Sequence, residues 1–314
     1  MISLLPAGSR EVSWDQYNWL SKYLSILPKS EDSIAHSAAY FLHTGRKGLF
    51  LVRHCGQVAF VASHPNIDSA ALVLPAGGHS APKLWAELCQ RISSGGMDVT
   101  LARITSKQAT IVEKAGCFQP VDEVKLDWRY PVVVLDTKKL SEMNGGTFAK
   151  YRHKVRRAFR NAPIMTVDQW SPIYVEREKS VLHMIKQWAI AVSEIKDFDT
   201  RHLISSNLAA YYMGKRRIDE VTCRVYLSGD KVIGFCSSEM TRHGRTANGI
   251  AMCLDRNWVG CSEYMYWNEA KLIRDNGYDF YNINGSETAS LDSFRSKLRP
   301  HDRIPLQTFR WMTA

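Results

Sequence analysis

Residues 221–283 carry the pattern that most narrows the fold. Three β-rich runs, Val221 to Leu227, Lys231 to Met240 and Thr246 to Leu254, are separated by turns at Ser228-Gly229-Asp230 and Arg242-His243-Gly244-Arg245, the signature of successive hairpins. A loop from Asp255 to Cys261 leads into a helix, Ser262 to Asp275, stopped by Asn276-Gly277, and the strand Tyr278 to Ile283 follows at once. The order strand, strand, strand, helix, strand predicts an α/β (α+β) arrangement around a mixed sheet.

Similar alternation runs upstream. Val132 to Asp136 is a β-branched run, a polar loop with Asn144-Gly145-Gly146 follows, and helices are expected over Phe148 to Asn161, Val175 to Val192 and Arg201 to Met213. In the first half, Asp15 to Leu27, Pro82 to Ile92 and Ser106 to Ala115 read as helices. Gly48 to Arg53 and Gln57 to Ser63 read as a hairpin around Cys55-Gly56, with strands over Val99 to Ile104 and Asp122 to Trp128. At about 150 residues per domain, 314 residues suggest two domains. We expect an N-terminal scaffold over 1–133, which shows no catalytic constellation, and a C-terminal catalytic domain over 134–314.

Charge separates these halves. Lys and Arg number 41 against 31 Asp and Glu, a net +10. Residues 1–133 hold 13 basic and 11 acidic groups, so the second half holds 28 and 20 and carries +8. An anionic partner is expected to meet the second half. A hydrophobic share of 45% excludes disordered and fibrous classes. No apolar run of roughly 18 residues exists, and Met1 to Arg10 lacks signal-peptide features, so no transmembrane segment and a cytoplasmic location are expected. The cysteines at 55, 89, 117, 223, 236, 253 and 261 are odd in number, scattered and without a CxxC pair, which predicts reduced thiols and no metal site.

The densest charge lies between residues 150 and 160, where Lys150, Arg152, Lys154, Arg156, Arg157 and Arg160 occur with no acid among them. Like charges repel along a helix unless an anion neutralises them, so the segment suits phosphates. A solvated basic face is the other reading. Lys215-Arg216-Arg217 reads as an ordinary basic surface before an extension of that patch. Trp188, Trp258 and Trp267 read as core or pocket walls, with stacking on a nucleic-acid base as the other reading.

Three segments together resemble the family that contains the soluble C-terminal domain of lysyl- and alanyl-phosphatidylglycerol synthases and, more loosely, the Fem-type aminoacyl-tRNA-dependent transferases. They are Asp127-Trp128-Arg129-Tyr130-Pro131-Val132, the basic helix from Lys150 to Ala158, and Asn282-Ile283-Asn284-Gly285-Ser286-Glu287 followed by Leu291-Asp292-Ser293-Phe294-Arg295-Ser296-Lys297-Leu298. The resemblance implies two tandem acetyltransferase-like (GNAT) domains. It also implies transfer of an acyl or aminoacyl group, often from aminoacyl-tRNA, to an acceptor that it does not name; together with the basic helix, we expect tRNA as partner, a small molecule or peptide as acceptor, and no tightly bound cofactor. The membrane-embedded portion of the lipid-modifying members has no counterpart in these 314 residues.

The resemblance further implies roles for single residues. Asn257, Gly260 and Ser262 stand where GNAT enzymes carry a Gln/Arg-x-x-Gly-x-Gly/Ala loop for the pyrophosphate of coenzyme A, a match weakened by Asn257 and Ser262; Ser262 reads equally as an N-cap. Glu239, at the end of an apolar strand, is either the base that deprotonates the acceptor or a solvent-facing residue. Asn282, Asn284, Ser286 and Glu287 would border the donor. Lys297 would hold an oxyanion or phosphate, or is a surface lysine. Phe294 occupies the place of the tyrosine that protonates a leaving thiolate, which argues against ordinary coenzyme A chemistry and suits an ester donor. Cys261, at a helix start, has no histidine placed beside it. The alternatives to aminoacyl transfer are an acyl-coenzyme A N-acyltransferase and a non-catalytic RNA-binding module.

Overall fold

The computed structural model describes residues 2–65, 67–122, 128–160, 163–196 and 199–312. Its first half runs β1 (Arg10–Glu11), α1 (Tyr17–Ser25), α2 (Ala38–Thr44), β2 (Leu49–His54), β3 (Gln57–Ser63), β4 (Ala70–Pro75), α3 (Pro82–Ser94), β5 (Asp98–Thr105), α4 (Ser106–Lys114) and β6 (Phe118–Val121). The second half continues with β7 (Val132–Asp136), α5 (Thr137–Glu142), α6 (Ala149–Arg160), β8 (Met165–Asp168), α7 (Pro172–Glu176), α8 (Glu178–Lys196), α9 (Thr200–Lys215), β9 (Val221–Ser228), β10 (Lys231–Met240) and β11 (Thr246–Leu254). It closes with α10 (Cys261–Asp275), β12 (Phe280–Asn282), α11 (Ala289–Ser296), β13 (Asp302–Ile304) and β14 (Leu306–Trp311).

Two seven-stranded sheets result, ordered β1-β2-β3-β4-β5-β14-β6 and β13-β7-β12-β11-β10-β9-β8. Each contains the same unit: three antiparallel strands, a helix, and a strand parallel to the third. The units are β2-β3-β4-α3-β5 and β9-β10-β11-α10-β12, with parallel pairs β4–β5 and β11–β12. The α3 face of Leu84, Trp85, Leu88 and Ile92 covers the first sheet; Met265, Ala270 and Ile273 of α10 cover the second. The remaining faces meet in a core continuous between the halves, where Leu20, Phe41, Phe60 and Leu72 join one cluster with Val132, Val225, Phe235 and Cys253. Each such buried side chain contributes on the order of 1.5–3 kcal/mol.

Strong local signals place several elements where the sequence predicts them. Cys55 and Gly56 both take positive φ (47° and 75°) in the two-residue β2–β3 turn, the geometry that matches sheet twist. Other elements differ. The helix expected over Val175 to Val192 is two helices, α7 and α8, and the loop around Asn144 is preceded by α5. Of the strand expected over Asp122 to Trp128, residues 123–127 lie outside the described residues; β6 precedes it. The short elements α2 and β4 are buried throughout, so they lack the polar face that periodicity needs.

The sheets do not divide at residue 133. β7 begins at Val132 and belongs to the second sheet, while β14 returns to the first and pairs between β5 and β6. Fully buried Phe309 of β14 joins Leu101, Ile104 and Val112 in the first core, which holds the chain's end there.

Candidate functional site

The site is built where one strand pair parts. β11 and β12 pair only from Thr246↔Phe280 to Asn248↔Asn282. Beyond that register, 249–252 on one strand and 283–285 on the other line a cleft of about 570 Å³ between the halves. A β-bulge promotes the parting: Ser237 pairs with Ala251 and Ser238 with Gly249, which leaves Ile250 outside the ladder. A crevice at the carboxyl ends of diverging parallel strands is the usual place for a ligand in such sheets. Its walls come from α2 (Tyr40, His43), α8 (Trp188, Val192), α9 (His202, Leu203), α10 (Ser262, Tyr266) and α11 (Leu291, Phe294, Arg295).

Polar contacts fix the mouth of this crevice. Asn284 adopts φ 60°, and its Nδ2 donates to the Gly249 carbonyl at 2.7 Å, bridging the parted strands. Arg295 donates from Nη1 to the Asn284 carbonyl at 3.0 Å and to that of Gly285, so the turn is held from α11. Behind it lies a buried network between the halves. Arg103 binds Asp32 through Nε at 3.0 Å and Nη2 at 2.7 Å, and through Nη1 reaches Tyr40 Oη at 3.1 Å and Asn284 Oδ1 at 3.4 Å. Asn282 is fully buried and donates to Ser33 Oγ at 2.9 Å and Asp32 Oδ1 at 3.3 Å. Of the residues expected to border a donor, Asn284 and Glu287 line the cleft; Asn282 and Ser286 are buried behind it.

Glu239 does not face the cleft. It is fully buried; its carboxylate accepts from Tyr17 Oη at 2.8 Å, from the Ala39 amide at 3.1 Å and from Ser37 Oγ. Burial raises its pKa, while those donors lower it. The carboxylate thus clasps α1 and the start of α2 to β10, and the solvent-facing reading does not hold. The strand-end position was visible, but not the chain of the first half folded over it. Lys297 follows α11 and is exposed, outside the cleft lining.

The loop before α10 is also occupied by the protein itself. Gly260, at φ 83°, caps α10, and a Cβ there would lie 2.3 Å from the Lys154 carbonyl oxygen. Its close backbone approach is therefore to α6. Trp258 donates to the Ala158 carbonyl at 3.2 Å, Tyr151 Oη to the Glu263 carbonyl at 2.7 Å, and Lys154 pairs with Glu263 Oε1 at 2.7 Å. Ser262 provides no cap; its hydroxyl donates to Glu263 at 3.1 Å and it lines the cleft, while Asn257 is exposed. Cys261 is fully buried and its thiol is pushed up to about 12, which removes a thiolate role.

Pinned in this way, α6 turns part of its charge outward. Arg152 donates to the carbonyls of Met143 and, at 2.7 Å, Gly145, and Lys154 holds Glu263. Lys150, Arg156, Arg157 and Arg160 are exposed and form no ion pair among the described residues.

Two cleft groups with chemical capacity escaped sequence reasoning. Tyr266 packs its ring 5.8 Å from Phe294 in the cleft wall, so a phenol stands beside the position where Phe294 lacks one. Arg46 lines the opposite wall. Neither belongs to a motif; Tyr266 reads as one aromatic among several on an amphipathic helix. Among the described residues no group of three or more His, Cys, Asp or Glu is placed to hold a metal ion, and no helix is long and apolar enough to cross a membrane.

Comparison with known proteins completes the picture. The family described as "Phosphatidylglycerol lysyltransferase, C-terminal" matches residues 28–311. No curated protein matches in sequence. The structure of L-PGS from Bacillus licheniformis is similar at a TM-score of 0.66 and 12% identity, over 98% of this chain and 95% of that one. FemX aligns at 0.61 and 12% identity, over 97% of both chains. A tandem GNAT protein from the clavulanic acid biosynthesis pathway aligns at 0.52 and 13% identity, over 98% of this chain and 99% of the other. The repeated strand–helix unit is therefore a tandem GNAT fold.

Proposed function

Because the chain belongs to the family of phosphatidylglycerol lysyltransferase C-terminal domains, we propose that it is an aminoacyltransferase that moves an aminoacyl group from aminoacyl-tRNA to an amine or hydroxyl acceptor in the interdomain cleft. One observation carries this over transfer from acyl-coenzyme A: α6 lies across the Gly260 turn, with the Lys154 carbonyl where a pyrophosphate would need the backbone amides. The same helix presents Lys150, Arg156, Arg157 and Arg160 without counter-charges among the described residues, which suits the phosphates of an RNA acceptor arm. Both donor readings use one fold, and this helix favours the tRNA ester.

The donor is an ester between an amino acid and the terminal ribose. The acceptor attacks its carbonyl carbon, and the tetrahedral intermediate collapses with loss of the ribose hydroxyl, which takes up a proton. Glu287 is the one acid among the described cleft-lining residues and forms no ion pair among the described residues; it takes the role of base, which Glu239 would hold on one of its two sequence readings. Tyr266 supplies a phenol for the leaving oxygen. Main-chain N–H groups on the edge of β11 freed by its parting from β12 face the developing oxyanion. Holding both substrates in one cleft supplies proximity.

The test is tRNA binding by the Arg156→Glu, Arg157→Glu double variant. At about 0.1 M salt we expect an affinity loss of about tenfold or more, and a plot of log affinity against log salt shallower by about 1.5 to 2. Unchanged tRNA affinity, or a rise in Tm with acetyl-coenzyme A in place of tRNA, sinks the reading.

A further inference from the structure

The two halves end their parallel pairings alike. β4 and β5 pair as far as Val73↔Leu101, and β11 and β12 as far as Asn248↔Asn282. Two residues beyond each last pair stand Arg103 and Asn284, and both take left-handed backbone, at φ 58° and φ 60°. At Arg103 this is the work of a bulge: β14 pairs Phe309 with Leu101 and Gln307 with Ile104, so Ala102 and Arg103 share Thr308 as their opposite. Non-glycine residues keep such a backbone only where their surroundings hold it.

These equivalent positions meet across the halves. Arg103 donates from Nη1 to Asn284 Oδ1 at 3.4 Å, and Asn284 Nδ2 donates to the Gly249 carbonyl at 2.7 Å. One chain of hydrogen bonds thus runs from β5 to the edge of β11 at the point where it leaves β12. The same guanidinium lies 4.8 Å from the centroid of the Tyr40 ring and 5.0 Å from that of Trp128. Tyr40, Trp128 and Asn284 line the cleft; Arg103 is 5% exposed and backs all three from outside the lining. Asp32 Oδ2 accepts from both Nε at 3.0 Å and Nη2 at 2.7 Å, which fixes the guanidinium plane and with it the direction of Nη1. A lysine ammonium would carry the charge but no plane.

We propose that Arg103 is a positioning residue for the cleft: from the first half it sets Asn284, and through Asn284 the gap between residues 249–252 and 283–285. Its effect on catalysis rests on the transfer reading above, because the freed amides of β11 that face the oxyanion lie along that gap; the positioning itself does not. A displacement of about 1 Å there is enough to slow a reaction about a hundredfold while the protein stays folded.

The experiment compares wild type with Arg103→Lys, Asn284→Gly, their double variant and Glu239→Gln, which loosens the contact between the halves away from the cleft. Hydrogen exchange read by mass spectrometry follows residues 249–252 and 283–285, and Tm follows stability. Transfer is measured from total tRNA charged with labelled amino acids to hydroxylamine, whose nitrogen takes the acyl group as the ribose hydroxyl leaves. In Arg103→Lys we expect exchange in both segments to rise about tenfold or more, and kcat to fall about tenfold or more with KM within about threefold of wild type. Asn284→Gly, which tolerates the same backbone, should give that pattern too; the double variant should be no worse than the weaker single, since the two act in series. Glu239→Gln should move Tm alone. Unchanged exchange in Arg103→Lys, an equal rise in Glu239→Gln, or losses that multiply in the double variant overturns the positioning role. Should Arg103→Lys not fold, the paired variant Arg103→Gln, Asp32→Asn, which strands no buried charge, carries the same test. Faster exchange in the variants with no transfer by wild type overturns the transfer reading and upholds the positioning.

Discussion

The two halves of this molecule use one strand–helix unit to opposite ends. In the second, β11 and β12 part after Asn248↔Asn282 and the gap is a cleft of about 570 Å³. In the first, the corresponding parallel pairing ends at Val73↔Leu101, and only about 10 Å³ remains among Ser30, Ile34, Phe41, Leu74 and Arg103. The chain itself fills the difference. Gly77 and Gly78 lie against Leu27, Pro28 and Lys29, so tightly that a Cβ at Gly78 would be 2.1 Å from the Lys29 carbonyl oxygen. Asp32 then neutralises Arg103 from within that segment. A repeated fold thus supplies a repeated opening, and the segment laid over it decides whether it becomes a site or an anchor.

The largest effect should come from testing the two glycine contacts against each other. Gly260→Ala drives a Cβ at positive φ into the backbone of α6, and Gly78→Ala drives one into the plugging segment; each should cost about 3 kcal/mol or more in urea unfolding. Gly260→Ala should also weaken tRNA binding by displacing α6, whereas Gly78→Ala should leave it unchanged in the folded fraction. Equal effects on binding would erase the distinction between the halves.

An intermediate effect is expected for Glu239→Gln. Replacing a carboxylate that accepts from Tyr17, Ser37 and Ala39 with an amide should cost about 1–3 kcal/mol of stability. The pH profile of transfer by the folded variant should not move; loss of the acidic limb, where rate rises as a base is deprotonated, would restore Glu239 as the base.

The smallest concerns His36, which stacks on His243 with ring centroids 3.7 Å apart and joins the plugging segment to the β10–β11 turn. Its Nδ1 donates to the Leu24 carbonyl at 2.9 Å, and its Nε2 accepts from the Ser30 amide at 3.2 Å. Burial lowers its pKa from 6.5 to about 4. The unfolded chain then binds the proton more readily, so the contribution of this residue is complete above 6.5 and is lost as pH falls through the window toward 4. Tm measured from pH 7.5 to 5.5 should fall less steeply in His36→Asn, by about 1 kcal/mol in stability; an identical slope would show that the ring is solvated.

What could be read in advance follows the range of the physics involved. The hairpin at Cys55-Gly56, the run Val132 to Asp136 and the meander from Val221 to Leu254 are coded by neighbours a few residues apart, and they stand where expected. So does the crowding of charge on α6, because no acid lies in that stretch. The burial of Glu239 has no local signal, since its three donors come from residues about 200 positions away. Gly260 was legible as a point of close approach, but the approaching group, over 100 residues upstream, was not. Arg46 carries no local mark at all; only the fold places it in the cleft wall, with its guanidinium 3.4 Å from His202 Nδ1.

The return of β14 to the first sheet has a consequence for the order of events during synthesis. β5 and β6 cannot close their ladder until residues 306–311 arrive, and pairs such as Thr100 with Arg310 span two-thirds of the chain. The half that leaves the ribosome first is therefore completed last. Until then it exposes the inward edges of β5 and β6 and the seat of Phe309. That is an interval of aggregation risk set by topology rather than by composition.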